Sequence, residues 1–119
     1  MLVSNTVLAS QELFEGKSQA VQDLYGLLVG ELNKFGPVQE IKKAISISLE
    51  NSRPFASVLI RNRSLKLVLR TPHRIANQRI LNIDRITNKS YDHTVLLDSK
   101  DDINDELMQW LGDAYHSSQ

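Results

Sequence analysis

Cysteine is absent from this 119-residue chain. That excludes a disulfide framework, thiolate zinc sites and a cysteine nucleophile, and it leaves the redox compartment open. Aromatic residues make up only 6%, and with Phe55 the only one in the strands that carry the basic residues, a single-strand stacking platform is not supported. No apolar run approaches the roughly 20 residues that a membrane-spanning helix needs. The first residues, Met1 to Phe14, have neither a basic start nor a continuous apolar stretch, so export and membrane insertion are not expected and the cytoplasm is the expected location. Net charge is also lacking, because 14 Lys and Arg balance 14 Asp and Glu. With 41% hydrophobic residues, 24% charged residues and three prolines, the composition excludes a disordered polyelectrolyte and fits one globular domain over residues 1–119. The five glycines, Gly16, Gly26, Gly30, Gly36 and Gly112, form neither a dinucleotide-binding fingerprint nor a phosphate-cradling loop.

What is present is strong periodicity. Val21, Leu24, Tyr25, Leu28, Leu32 and Phe35 recur at three- and four-residue spacing, predicting a helix from about Ser18 to Phe35 with one apolar side. Ser18 is the predicted N-cap, and Gly36-Pro37 supplies the stop. The period then falls to two. Ile45, Ile47 and Leu49 alternate with Ser46 and Ser48; Asn51 to Arg53 read as a turn; Phe55 to Arg61 form a second strand; and Leu65, Leu67 and Leu69 mark a third after a tight connection at Asn62 and Arg63. Val38 to Lys43 can add a short strand before these. Thr71-Pro72 breaks the sheet, and His73 to Asp92 reads as a long irregular excursion with room for one helical turn. His93 to Asp98 is the predicted last strand. Ser99 with Asp102 resembles a capping box, ahead of a closing helix whose apolar stripe is Ile103, Leu107, Trp110, Leu111 and Ala114. The tail from His116 is expected to fray.

The predicted fold is therefore α+β: an N-terminal helix, an antiparallel meander of three to five strands and a C-terminal helix, with both helices on one face of the sheet. The expected core joins Val21, Leu24, Leu28, Leu32, Leu107, Trp110 and Leu111 to Ile45, Ile47, Leu65, Leu67 and Leu69. The other sheet face is expected to be solvated.

A series of short segments carries a resemblance. Phe14-Glu15-Gly16-Lys17-Ser18 precedes the helix and Gly36-Pro37 follows it. Lys42-Lys43 stands before the serine-rich strand. Then come Phe55-Ala56-Ser57-Val58, Arg63-Ser64-Leu65-Lys66-Leu67-Val68-Leu69 and finally Ala114-Tyr115. In this order and spacing they resemble a small bacterial family, domain of unknown function 5655, over about residues 14–116. The resemblance implies a domain that occurs alone or as the C-terminal part of larger proteins described as predicted transport proteins, some with a nuclease-like region upstream. It implies no reaction. One departure stands out: members carry a glycine-rich stretch with a histidine and a tryptophan before the last strand, where this chain has Asn88-Lys89-Ser90-Tyr91-Asp92-His93. If that stretch is the family's working site, this chain has altered it.

The charges that cancel overall are unevenly placed. From Arg53 to Arg85 there are eight basic residues against Asp84 alone, a net of +7, while residues 1–52 sum to −2 and residues 86–119 to −5. On an alternating strand Lys66 and Arg70 lie opposite Leu65, Leu67 and Leu69, with Arg61 and Arg63 at the adjoining turn. Arg61, Arg63, Lys66 and Arg70 are thus the candidate contacts for nucleic acid or another polyanion. The competing reading is a sheet face that is merely solvated and partly neutralised by the acidic segments.

Catalysis has little to stand on. His73, His93 and His116 are scattered, with no ligand spacing and no accompanying paired-carboxylate motif, so neither a metal nor an organic cofactor is expected. Asp92-His93 with a serine can be imagined as a hydrolytic set, but adjacency in sequence does not orient an imidazole. No catalytic residue is assigned. Gly26 and Gly30 project away from the apolar stripe of the first helix, where each costs about 1 kcal/mol relative to alanine; that flat side suits a homodimer contact or is simply tolerated surface. The expected function is a non-catalytic binding or accessory module for an anionic partner. A self-associating adaptor is the alternative, and a small enzyme of unknown reaction comes third.

Overall fold

A computed structural model of the chain describes residues 13–118. Helix α1 spans Gln19–Leu32. It starts where predicted, because Ser18 in extended backbone accepts the Val21 amide through its hydroxyl at 3.2 Å. It ends at Leu32, three residues before Phe35, and the chain turns through Asn33 and Lys34 before reaching Gly36. Strands follow at β1 Gln39–Lys42, β2 Ser46–Asn51, β3 Arg53–Ile60, β4 Leu65–Thr71, β5 Ile80–Thr87 and β6 Ser90–Leu97. A single 3₁₀ turn, Lys100–Asp102, leads to α2, Asp105–Ser117. The fold is α+β: among the described residues the helices Gln19–Leu32 and Asp105–Ser117 accompany one antiparallel sheet in the order β1-β2-β3-β4-β6-β5.

Among the described residues the sheet has six strands, one more than the upper end of the predicted range, and the arrangement is not a pure meander. The extra strand is β5, within the stretch expected to be irregular. The connection after Thr71 passes beyond the place that β6 will take; β5 forms the sheet edge, and a tight hairpin brings β6 back between β5 and β4. Asn82, Asp84, Arg85 and Thr87 are all solvent-exposed. Register shifts around Leu81 and Ile86 break the alternation further. An edge strand with six of its eight residues exposed and two register shifts leaves no period-two signal.

Tight turns close the other hairpins. The Lys43 amide donates to the Ser46 carbonyl at 2.7 Å, which puts Ala44 and Ile45 at the tip of the β1–β2 hairpin. Ile45 is therefore 70% exposed rather than in the core, since its side chain leaves the sheet where the chain turns. The Arg61 amide donates to the Ser64 carbonyl at 2.9 Å across Asn62 and Arg63, and Ser52 takes φ 60° between β2 and β3.

The core joins Val21, Leu24, Leu28 and Leu32 of α1 and Leu107, Leu111, Ala114 and Tyr115 of α2 to Ile47, Val58, Leu65, Leu67 and Leu69 of the sheet. Both helices contact β4. A bulge in β3 leaves Phe55 without a partner in β2, between the pairs Glu50–Pro54 and Leu49–Ala56. It turns that ring into the core, edge-on to Tyr115 at 5.3 Å between centroids. Trp110, expected in the core, is only half-buried and lies under the Arg79 guanidinium.

Two predicted ends fall elsewhere. Asn104 caps α2, accepting the Leu107 amide at 3.0 Å. The Ser99–Asp102 pair caps the preceding 3₁₀ turn instead, with the Asp102 carboxylate accepting the amides of Asp98 and Ser99. The tail beyond His116 does not fray up to Ser118, which is buried and donates its hydroxyl toward the carbonyls of Asn51 and Tyr115.

Candidate anion-binding surface

The four basic residues picked out by the sequence do not form one row. Arg61 and Arg63 are exposed at the β3–β4 turn. Lys66 follows on β4, between Leu59 of β3 and Leu96 of β6. Arg70 is four residues farther along the strand, about 13 Å at the usual rise of a β-strand. It faces Asp92 across the β4–β6 ladder, and its Nε and one terminal nitrogen donate to the two carboxylate oxygens at 2.7 and 3.1 Å. This hydrogen-bonded carboxylate raises the Arg70 pKa. The fork also neutralises the cation.

At the other end of β4 a cationic cluster gains a member that the sequence reading did not place there. The Ser18 amide donates to the Asn62 carbonyl at 3.3 Å, and the Lys17 ammonium donates to the Asn62 side-chain oxygen at 3.3 Å. The start of α1 is thereby seated on the β3–β4 turn, and Lys17 joins Arg61 and Arg63. The β1–β2 tip, with Lys43 and the exposed Ile45, lies at the same end, because β2 begins at Ser46 opposite Leu59 near the end of β3. Acidic groups mark the far side of this end, where β6 runs into Asp98 and the 3₁₀ turn. There the Asp98 and Asp102 carboxyls share a hydrogen bond that raises the Asp98 pKa. Lys17 could not be assigned from sequence spacing, since a hydrogen bond spanning 45 positions brings it in.

Three of the remaining cations of the basic stretch are held by contacts away from this cluster. Arg79 donates to the Asp102 carbonyl at 2.7 Å and to Asn104, and it pairs with Glu106 at 3.4 Å. Arg74 stacks over the Tyr91 ring. Arg85 is hydrogen-bonded to Asn88.

Asp92 and His93 point to opposite faces. The His93 ring is fully buried opposite Leu69 and Ile83, and its Nε2 accepts the Ile75 amide at 3.0 Å. Burial pushes its pKa below the ordinary imidazole value. The sequence had placed His93 at the start of a strand; the strand begins at Ser90, so the ring falls on its inner face. Among the described residues no group of three or more His, Asp or Glu could hold a metal ion, and no helix is long and apolar enough to cross a membrane.

These features define a small α+β domain whose basic stretch places Arg61 and Arg63 in a turn cluster and pairs Arg70 and Arg79 with carboxylates. The chain belongs to the family described as Domain of unknown function (DUF5655), whose model matches residues 10–118. No curated protein and no solved structure matches it.

Proposed function

We propose that this domain is a non-catalytic binding module that contacts a polyanion, such as nucleic acid, through Arg61, Arg63 and Lys66 together with Lys17. The observation that carries the reading is a contrast in pairing. Lys17, Arg61, Arg63 and Lys66 form no ion pair among the described residues, whereas Lys34, Arg70 and Arg79 each have a carboxylate partner. A cation without a carboxylate partner can neutralise a phosphate and release the counterions condensed on the nucleic acid, whereas a cation already paired with a carboxylate must first give up that partner. Both helices belong to the core built on one face of the sheet, which leaves the opposite face and the turn end open to a partner. The separation of Asp92 from His93 across the sheet removes the one hydrolytic pairing that the sequence suggested, which favours binding over catalysis.

The test is fluorescence anisotropy with two unrelated oligonucleotides over a salt series. Arg63→Ala with Lys66→Ala should weaken both equally and reduce the salt slope by about one per lost phosphate contact. Failure of the unmodified protein to bind either oligonucleotide or heparin at low salt would overturn the reading. A second reading, self-association through α1, is favoured by Gly26 and Gly30, which are exposed with nothing within 4 Å of a Cβ built at either. Light scattering separates the two, because apolar association does not weaken with salt.

A further inference from the structure

We propose a second site at the opposite end of the sheet: a cleft that binds a small organic phosphate. It is independent of the polyanion reading. The cleft, about 400 Å³, lies between the β2–β3 turn, the end of β4, the β5–β6 hairpin and the C-terminus of α2. Three cations from different parts of the chain line it, namely Arg53, Arg70 and Lys89, with the hydroxyls of Thr87 and Ser90 between them. Among the described residues no carboxylate side chain lines its walls, although the chain has as many acids as bases.

The three cations differ in what they can give. Arg70 is already forked onto Asp92, so it brings a fixed guanidinium and little net charge. Arg53 donates through Nε to the Ser118 carbonyl at 3.4 Å, which anchors it against the helix end, and its terminal nitrogens bond to no described residue. The Lys89 ammonium has no described partner, and its backbone is held by a bond from its amide to the Thr87 hydroxyl at 3.0 Å. Thr87 and Ser90 hydroxyls also meet at 2.8 Å across the hairpin. Two uncompensated positive charges on ordered backbone, with hydroxyl donors beside them, suit a dianionic phosphate.

Size and lining decide between a bare ion and a larger ligand. The volume corresponds to roughly a dozen waters at about 30 Å³ each, far more than one phosphate group displaces. It falls within the range of about 300–1,000 Å³ found for small-molecule pockets. Pro54 and Pro72, both exposed, supply an apolar wall. The chemistry that fits is thus a phosphomonoester with a compact apolar body.

The test is a titration followed by amide chemical shifts, with phenyl phosphate, inorganic phosphate and phenol as probes. Phenyl phosphate should give saturable shifts at Arg53, Lys89 and Ser90 and bind more tightly than either fragment. Lys89→Gln, on an exposed hairpin tip, should weaken it about tenfold, as expected for loss of one charge-assisted hydrogen bond. Arg61→Ala, at the far end of the sheet, should leave it unchanged. Shifts that fail to saturate by about 10 mM, or a Lys89→Gln variant that binds phenyl phosphate as well as the parent, would overturn the proposal. Equal binding of phenyl phosphate and phenol would do the same. Loss of oligonucleotide binding with phenyl phosphate binding intact would reject only the polyanion reading.

Discussion

Arg70 and Asp92 face each other on β4 and β6 and share two hydrogen bonds, of 2.7 and 3.1 Å, on the sheet face that the core leaves uncovered. Asp84 stands opposite Asp92 on β5, so the arginine fork also offsets a like-charge pairing across the next ladder. One of the four basic residues that the sequence singled out is therefore engaged within the sheet.

This pairing separates Arg70 from the turn cluster in solution. Arg70→Ala should leave the salt slope of oligonucleotide binding unchanged, in contrast to Arg63→Ala. Its stability cost should stay near 1 kcal/mol, the upper range for a partly exposed ion pair, as read by urea denaturation. A slope that falls as much as for Arg63→Ala would show that the fork opens when the partner binds.

Gly36 should resist substitution. It sits at φ 150°, and a Cβ there would collide with the Tyr115 hydroxyl, which itself donates to the Pro37 carbonyl at 3.0 Å. Gly36→Ala is expected to lose about 1–3 kcal/mol. Tyr115→Phe alone should cost about 1 kcal/mol for the hydrogen bond. Combined, the two should cost less than their sum, because removal of the hydroxyl relieves the clash. Thermal denaturation of the four proteins gives the cycle.

His93 links stability to pH. Its Nε2 accepts a backbone amide inside the core, so the folded protein holds the ring neutral, and its folded pKa lies below the unfolded value of about 6.5. Above that unfolded value both states are neutral and stability is complete. As pH falls below it, the unfolded chain takes up the proton first and stability declines until the folded pKa is reached. His93→Gln should flatten the decline below about pH 6.5, measured as the difference in urea midpoints from the parent. An unchanged profile would place the acid sensitivity elsewhere.

The docked tail gives another readout. Ser118 donates toward Asn51, and its carbonyl receives Arg53. Ser118→Ala should lower stability by about 1 kcal/mol and speed amide exchange in the last turn of α2. Exchange as slow as in the parent would mean that the helix end is held without this bond.

Much of the fold was legible in local pattern. The α1 stripe from Val21 to Leu32, the Ser18 cap and the inward residues Leu65, Leu67 and Leu69 all follow from one buried face repeating at the period of a helix or a strand. What local pattern could not carry was anything decided by neighbours distant in sequence. β5 was hidden because an edge strand has no second neighbour to enforce alternation. Phe55 entered the core through a bulge defined only against β2, and Ile45 left it because the hairpin turned one residue later than the serine alternation implied. The candidate site divides in the same way. Composition alone located the excess of positive charge between Arg53 and Arg85, since charge is a property of side chains that does not depend on their neighbours. Which of those charges are available was decided by tertiary pairing, with Asp92 taking Arg70 and Glu106 taking Arg79, while the Asn62 contacts brought Lys17 beside Arg61 and Arg63. Such partners meet only when the strands are in register and the helices are seated, and no spacing along the chain encodes that meeting.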